Sequence, residues 1–339
     1  MHKQLQPIHQ SDEIGLYEYD SSPGKQNRIF VASTPETRVI VNDPFVTGLR
    51  YTRTLSRACA RTLSALRDAG AFVPVEGAAK VLHILRGGLN FGLREALGDA
   101  FGWNDHGSLY VSAQRARTDE DPQLWHITES DYRKLHLGSH NDIFFGDVVA
   151  TGTSLEYALG ELGRYAAKHG SQINSISFFT IGGPRAYEIM ESLHGSSAWR
   201  QAGLVSSNVI FFEGIFSVAH QSTKMHVKID GTDLLRTKAV LPPELIDSQY
   251  SDPAYPIERC TIYDAGSRAF ELSEYIEDVH EYWSQTLALA KQGMSYSQLL
   301  AERFPELNAQ RFNGADLERI CVRQLESCNR LLATARGEV

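Results

Sequence analysis

The sequence predicts an α/β fold: a parallel sheet with helices on both faces, with a hairpin beside it and a C-terminal helical appendage. Two observations lead there. Short, mostly apolar runs recur along the first 270 residues, and most are followed by a glycine-bearing turn and then a helix-periodic stretch. Strands apolar on every position are buried on both faces, as in a parallel sheet sandwiched by helices. After Phe270 the apolar spacing becomes helical to the end. With 339 residues, 42% hydrophobic and 22% charged, the composition is that of a globular chain, large enough for two domains or for one domain with an appendage. Disordered, fibrous and disulfide-scaffold classes are excluded.

Residues 1–28 mix Gln, Asp, Ser and Gly with few apolar positions, and are expected to form an arm carrying little chemistry. Leu49, Leu55, Ala58, Leu63 and Leu66 recur at helical spacing between Phe45 and Gly70, which predicts one long helix stopped by Gly70. A strand follows at Val81 to Leu85, then Gly87-Gly88 and a helical stretch from Phe91 to Leu97. The same grammar recurs at Ile143 to Phe145 with Leu155 to Ala167, and at Ile176 to Ile181 with Tyr187 to Leu193. Val209 to Phe212 is a further strand candidate. Between Ser108 and Leu135, polar alternating segments broken by Asp119-Glu120-Asp121-Pro122 predict an antiparallel hairpin projecting from the sheet. The expected division is an arm (1–28), a sheet domain (29–270) and a helical domain (271–339).

A net charge of −8 argues against holding long nucleic acids, which takes clustered Lys and Arg. No apolar run approaches the roughly 18 residues of a membrane span, and the polar start has no hydrophobic signal core, so a cytoplasmic location is expected. Cys59, Cys260, Cys321 and Cys328 have no CxxC or zinc-like spacing and are expected to be buried or indifferent thiols. The twelve histidines show no paired metal spacing, and His126, His136 and His140 are expected to be solvated. Gly160 and Gly163 on a helix suggest close packing. Glu274, Glu277 and Asp278 suggest a solvated helix face.

The strongest chemical signal is Ile143-Phe144-Phe145-Gly146-Asp147-Val148-Val149-Ala150-Thr151-Gly152-Thr153-Ser154. It joins a buried strand to a helix through small and hydroxylated residues. Backbone N–H groups at the helix start can converge on a phosphate, Thr151, Thr153 and Ser154 add hydroxyl donors, and Gly152 lets the chain approach closely. Asp147 can accept from sugar hydroxyls. A second glycine turn, Ile84-Leu85-Arg86-Gly87-Gly88-Leu89-Asn90-Phe91-Gly92, can aim N–H groups at another anion, with Arg86 supplying charge.

These two segments resemble the 5-phosphoribosyl-1-pyrophosphate (PRPP) motif and the pyrophosphate loop of type I phosphoribosyltransferases. Gly146 departs from the pattern, standing where that family usually has the first of two acids. The segment order is similar to that of uracil phosphoribosyltransferases. Arg117-Thr118-Asp119 leading to Asp131-Tyr132-Arg133-Lys134-Leu135 resembles their mobile flap, with Arg115, Arg117 or Lys134 as partners for pyrophosphate. Gly182-Gly183-Pro184-Arg185 and Tyr263-Asp264-Ala265-Gly266-Ser267-Arg268-Ala269-Phe270 resemble two further stretches, the latter lining the base and PRPP site, with Tyr263 and Ser267 departing from it. Residues 220–256 then form an insertion near this site.

The resemblance implies transfer of a phosphoribosyl group from Mg2+-bound PRPP to a uracil-like nucleobase nitrogen. Arg86, Arg117 and Asp147 would be the catalytic residues. Arg86, Gly87, Gly88, Asp147, Ala150, Thr151, Gly152, Thr153, Ser154, Asp264, Ala265 and Gly266 would bind substrate, and no side-chain cluster would be dedicated to the metal. It also implies a homodimer. Two alternatives stay open: a non-catalytic PRPP or nucleotide sensor signalling to the helical tail, and a transferase acting on an unusual acceptor.

Overall fold

The computed structural model describes residues 5–19, 25–72, 74–85, 87–117, 125–129, 132–259 and 265–336. It opens with β1 (Leu5–Gln10), β2 (Gly15–Tyr19) and β3 (Asn27–Ser33), followed by α1 (Pro35–Asn42) and α2 (Gly48–Asp68). Next come β4 (Ala79–Leu85), a 3-10 turn at Gly87–Phe91, α3 (Leu93–Phe101), β5 (Gly107–Ser112), β6 (Gln114–Arg117), β7 (Trp125–Glu129) and β8 (Arg133–Lys134). The chain continues through β9 (His140–Val149), α4 (Thr153–His169), β10 (Gln172–Gly182), α5 (Arg185–Leu193), α6 (Ser197–Gln201), β11 (Ser206–Val218), β12 (Leu234–Val240) and α7 (Pro243–Ser248). It ends with α8 (Ala265–Phe270), α9 (Leu272–Lys291), α10 (Tyr296–Arg303) and α11 (Leu317–Ala335).

The strands β3, β11, β10, β9, β4 and β5 lie side by side in that order, every neighbouring pair parallel. This is the parallel sheet expected, within a mixed α/β fold. One face buries Leu55, Leu63, Ala96, Leu97 and Phe144, which belong to α2, α3 and β9. The other buries Leu155, Leu159, Ile189, Met190 and Phe145, from α4, α5 and the opposite side of β9. The alternation of Phe144 and Phe145 across the sheet follows from the two-residue repeat of a strand. Gly163 is buried against Trp199, where a Cβ would stand 2.8 Å from the indole, so this glycine serves helix packing.

Several expectations are corrected. Residues 5–19 are two strands, because Ile14, Leu16, Tyr17 and Tyr19 are buried and the pair extends the sheet antiparallel beyond β3. The long helix starts at Gly48 rather than Phe45, and Gly70 follows its end with a positive φ of 64°. Within 108–135, β5 is a parallel strand of the main sheet, held there by buried Leu109 and Val111. Only β6 and β7 form a separate antiparallel hairpin. Asp278 is half-buried, and desolvation raises its carboxyl above the ordinary range, whereas Glu274 and Glu277 are exposed. Cys59, Cys321 and Cys328 are buried as expected, and Cys260 lies outside the described residues.

A third apolar cluster joins Tyr275, Trp283, Leu299, Phe312, Cys321 and Cys328 of the tail to Ala254 and Ile257, so this core begins before residue 271. Three buried arginines bind it inward. Arg303 donates to the Val227 carbonyl and lies 5.0 Å from the Tyr282 ring. Arg259 forms a buried pair with Asp233, Nε to Oδ1 at 2.9 Å. Arg268 donates to the carbonyls of Val46 (2.7 Å) and Asp43 (2.6 Å) and lies between the rings of Tyr51 and Tyr275, 5.0 and 5.5 Å away. No helix among the described residues is long and apolar enough to cross a membrane.

Candidate functional site

The connection after β4 runs through α3 to β5 on one side, whereas the connection after β9 runs through α4 to β10 on the other. The order therefore reverses between β4 and β9. In open parallel sheets the crevice beyond the carboxyl ends at such a reversal is where ligands bind. The two glycine turns singled out in the sequence are the turns leaving β4 and β9.

Their neighbourhood shows how the two strands part. The β4–β9 ladder pairs Ala79, Lys80 and Val81 with Asp142, Ile143 and Phe144 and then stops, although both strands continue. The Gly87–Phe91 turn fills the split. A Cβ on Gly88 would lie 3.1 Å from the Gly146 carbonyl oxygen. A Cβ on Gly146 would overlap the Phe91 ring and stand 2.8 Å from Phe91 Cβ. Phe91 is fully buried. Gly146, the departure from the two-acid pattern, is thus a packing position, and the volume an acid would need is taken by an aromatic ring.

One residue on, Asp147 points to the opposite face and is half-buried. Its Oδ1 accepts from the Val148 N–H at 2.8 Å, which fixes the carboxylate at the end of the strand. Ala150 and Thr151 follow, both half-buried, and Gly152 turns the chain with φ 79° and ψ 5°. A Cβ there would overlap Ile189 Cδ1 and lie 3.2 Å from Arg185 Cγ, so handedness and space both require glycine. The first intrahelical bond is Glu156 N–H to Gly152 O, 2.9 Å. The glycine cap has no side chain to satisfy the N–H groups of Thr153, Ser154 and Leu155, leaving a helix of 17 residues with donors at its start. The Thr151 and Thr153 hydroxyls lie 3.5 Å apart on this turn.

Helix α8 packs against the Gly87–Phe91 turn and against α2, bringing Ala265 and Gly266 to the same corner of the molecule. The β6–β7 hairpin packs on α4, and β8 is tied to it through Arg133, which pairs with Glu161 together with Arg164. The Arg164 pairing, then the Arg133 pairing, hold the Glu161 carboxyl below its ordinary range. The backbone of Arg117 ends β6 and that of Gly87 begins the 3-10 turn, but their surroundings, like Arg86 and Asp264, lie outside the described residues. The side chains of Arg115 and His126 do too. Lys134, His136 and His140 are exposed.

Two residues near these turns were not singled out as site residues. Arg185 packs beside Gly152 and pairs with Glu156 on α4; the glycine-proline stretch preceding it was the available signal. His83 is 6% exposed, stacks on Tyr110 with centroids 5.0 Å apart, and neither ring nitrogen has a hydrogen-bond partner. A histidine inside an apolar strand was its only signal.

No family model matches the sequence, and no curated protein matches it. Solved structures do. Hypoxanthine-guanine phosphoribosyltransferase of Bacillus anthracis is 16% identical over 40% of this chain and 71% of its own, with a TM-score of 0.26. Adenine phosphoribosyltransferase of Leishmania donovani is 12% identical over 58% and 86%, TM-score 0.34. The hypoxanthine-guanine enzyme of L. donovani is 14% identical over 53% and 93%, TM-score 0.29. None of these three is a uracil enzyme.

Proposed function

We propose that this chain is a phosphoribosyltransferase that transfers the 5-phosphoribosyl group of PRPP to a ring nitrogen of a nucleobase-like acceptor and releases pyrophosphate. The observation that supports this reading is that the two glycine turns leave the strands on either side of the sheet's reversal point, with Gly88 of one turn against the Gly146 carbonyl of the strand that leads to the other. Two anion-holding turns at one reversal point would suit a ligand phosphorylated at both ends.

In this mechanism the 5′-phosphate sits on the α4 N-terminus, held by its N–H groups and by Thr151, Thr153 and Ser154, with Ala150 and Gly152 shaping the turn. Asp147 accepts from a ribose hydroxyl. Arg86, Gly87 and Gly88 hold the pyrophosphate and stabilise its charge as the anomeric C–O bond breaks and the acceptor nitrogen bonds to the same carbon. Arg117, carried on the hairpin, closes over the leaving group and excludes water. Asp264, Ala265 and Gly266 line the acceptor side. Mg2+ would accompany PRPP as part of the substrate and would supply charge that offsets the leaving pyrophosphate. A uracil-like acceptor and a homodimer belong to the same proposal.

A second reading, a sensor that binds PRPP without turning it over, is favoured by one feature: Phe91 fills the space at Gly146 where the first acid of the pair would stand. Calorimetry with Mg-PRPP, followed by pyrophosphate-release assays with a nucleobase panel, tests both. Binding with release for at least one base supports the transferase. Binding without release for any base supports the sensor, and no binding overturns both.

A further inference from the structure

His83 lies two residues before Leu85, the last residue of β4, and it faces the side of the sheet on which the Gly87–Phe91 turn folds back. The register pairs it with Tyr110 of β5, which accounts for the stacking at an interplanar angle of 22°. The residue after the turn's first glycine, Gly88, lies directly over it: a Cβ on Gly88 would stand 3.7 Å from the His83 Cα and carbonyl carbon. The Gly88 backbone is the polar group that acts on the imidazole and favours its protonated form, although neither ring nitrogen reaches a partner with full hydrogen-bond geometry.

An imidazole 94% buried with both nitrogens unpaired is costly, because each buried polar atom without a partner forfeits its hydration. Such a residue calls for a state in which its bonds are made. Burial first, and the Arg94 cation second, hold His83 below its ordinary proton affinity, while Glu95 and the Gly88 backbone oppose them more weakly. Arg94 and Glu95 stand on the first turn of α3, the element that follows the glycine turn; Tyr110 faces the ring from β5. An anion on the Gly87–Phe91 turn would offset the Arg94 field and favour a positive imidazole beneath it.

We propose that His83 is a positioning residue that takes up a proton and donates it in a hydrogen bond to the Gly88 backbone when pyrophosphate, free or as part of a larger ligand, occupies the Gly87–Phe91 turn. The imidazolium then holds the turn in its anion-bound shape and adds charge beneath it. The proton comes from solvent, and no covalent bond changes. This inference rests on the proposed function's placement of pyrophosphate at that turn.

The test uses the full chain and magnesium pyrophosphate. The His83 ring resonances are assigned by their loss in His83→Asn and titrated by NMR with and without saturating ligand. At least a tenfold rise in proton affinity of this ring on binding is expected. Calorimetry of His83→Asn and His83→Gln should then show pyrophosphate binding three- to tenfold weaker than the parent at pH 6 and equal to it at pH 8. A purely structural role would weaken binding equally at both. If pyrophosphate binds and the His83 ring titrates identically in both states, the inference is overturned while the placement of pyrophosphate stands. If pyrophosphate does not bind at all, that placement fails and the inference with it.

Discussion

The turn after β9 and the turn after β4 leave neighbouring strands, but they are built in opposite ways. The first ends a strand, reverses handedness at Gly152 and presents Thr151, Thr153 and Ser154 half-buried at the start of a long helix. The second is pressed into the sheet, with Gly88 against a carbonyl and Phe91 fully buried. Glycine at 152 answers to backbone conformation as well as to room, whereas at 88 and 146 it is a matter of room alone. One turn offers donors already in position; the other is part of the core and must be shaped from below.

The sharpest way to break this contrast is Gly146→Asp. A side chain there overlaps the Phe91 ring and buries a carboxylate, so a loss of about 4 kcal/mol is expected in urea unfolding. Adding Phe91→Ala should recover part of that loss, because the two positions share one volume. A fully stable Gly146→Asp would show that the ring does not fill this space.

Glu213 provides a control away from the turns. It is fully buried at the head of α1, accepts from Ser33 Oγ at 2.8 Å and the Thr34 N–H at 3.1 Å, and also bonds Thr37; burial pushes its carboxyl up to about 7. Its folded form keeps a proton that the unfolded chain has lost between about pH 4.5 and 7. Its contribution, up to about 3 kcal/mol, is therefore present below pH 4.5 and lost as pH rises through 7. Stability measured across that interval should decline less steeply in Glu213→Gln. An unchanged slope would remove Glu213 from the pH dependence.

Gly152→Val should cost about 2 kcal/mol and abolish Mg-PRPP binding, since φ 79° is strained for a branched residue. Trimming Ile189 to Ala beside it should not restore binding, because the backbone demand remains. Thr151→Ala and Asp147→Ala should each weaken PRPP by about 1.5 kcal/mol, roughly tenfold, with little change in Tm. Unchanged affinity in both would contradict the assigned turn.

The parallel strands β4, β9, β10 and β11, and the helices that follow the first three, were legible because these strands are mostly apolar and the turns after them carry glycine. The strands at the start of the chain were not: their buried Ile14, Leu16, Tyr17 and Tyr19 are interrupted by Gly15 and Glu18 and gain burial from elements distant in the chain, β3, α2 and Glu244 of α7 among them. Likewise, β5 reads as a polar hairpin arm, although Leu109 and Val111 are enclosed. At the site, Thr151 to Ser154 stood out because hydroxyls and glycine cluster locally. The reason for Gly146 did not, since Phe91 lies 55 residues earlier and only folding brings the two together. His83 was hidden for the same reason, as a polar residue whose surroundings come from a neighbouring strand and a later turn.

Arg268 makes the tail hard to remove. Its guanidinium needs Tyr275 as one of its two aromatic walls while it holds the carbonyls of Asp43 and Val46 ahead of α2. A chain shortened after Phe270 would keep the cation and lose one side of its enclosure, leaving the segment that leads into α2 poorly anchored. Truncated forms for expression or crystallography should keep α9 at least as far as Tyr275.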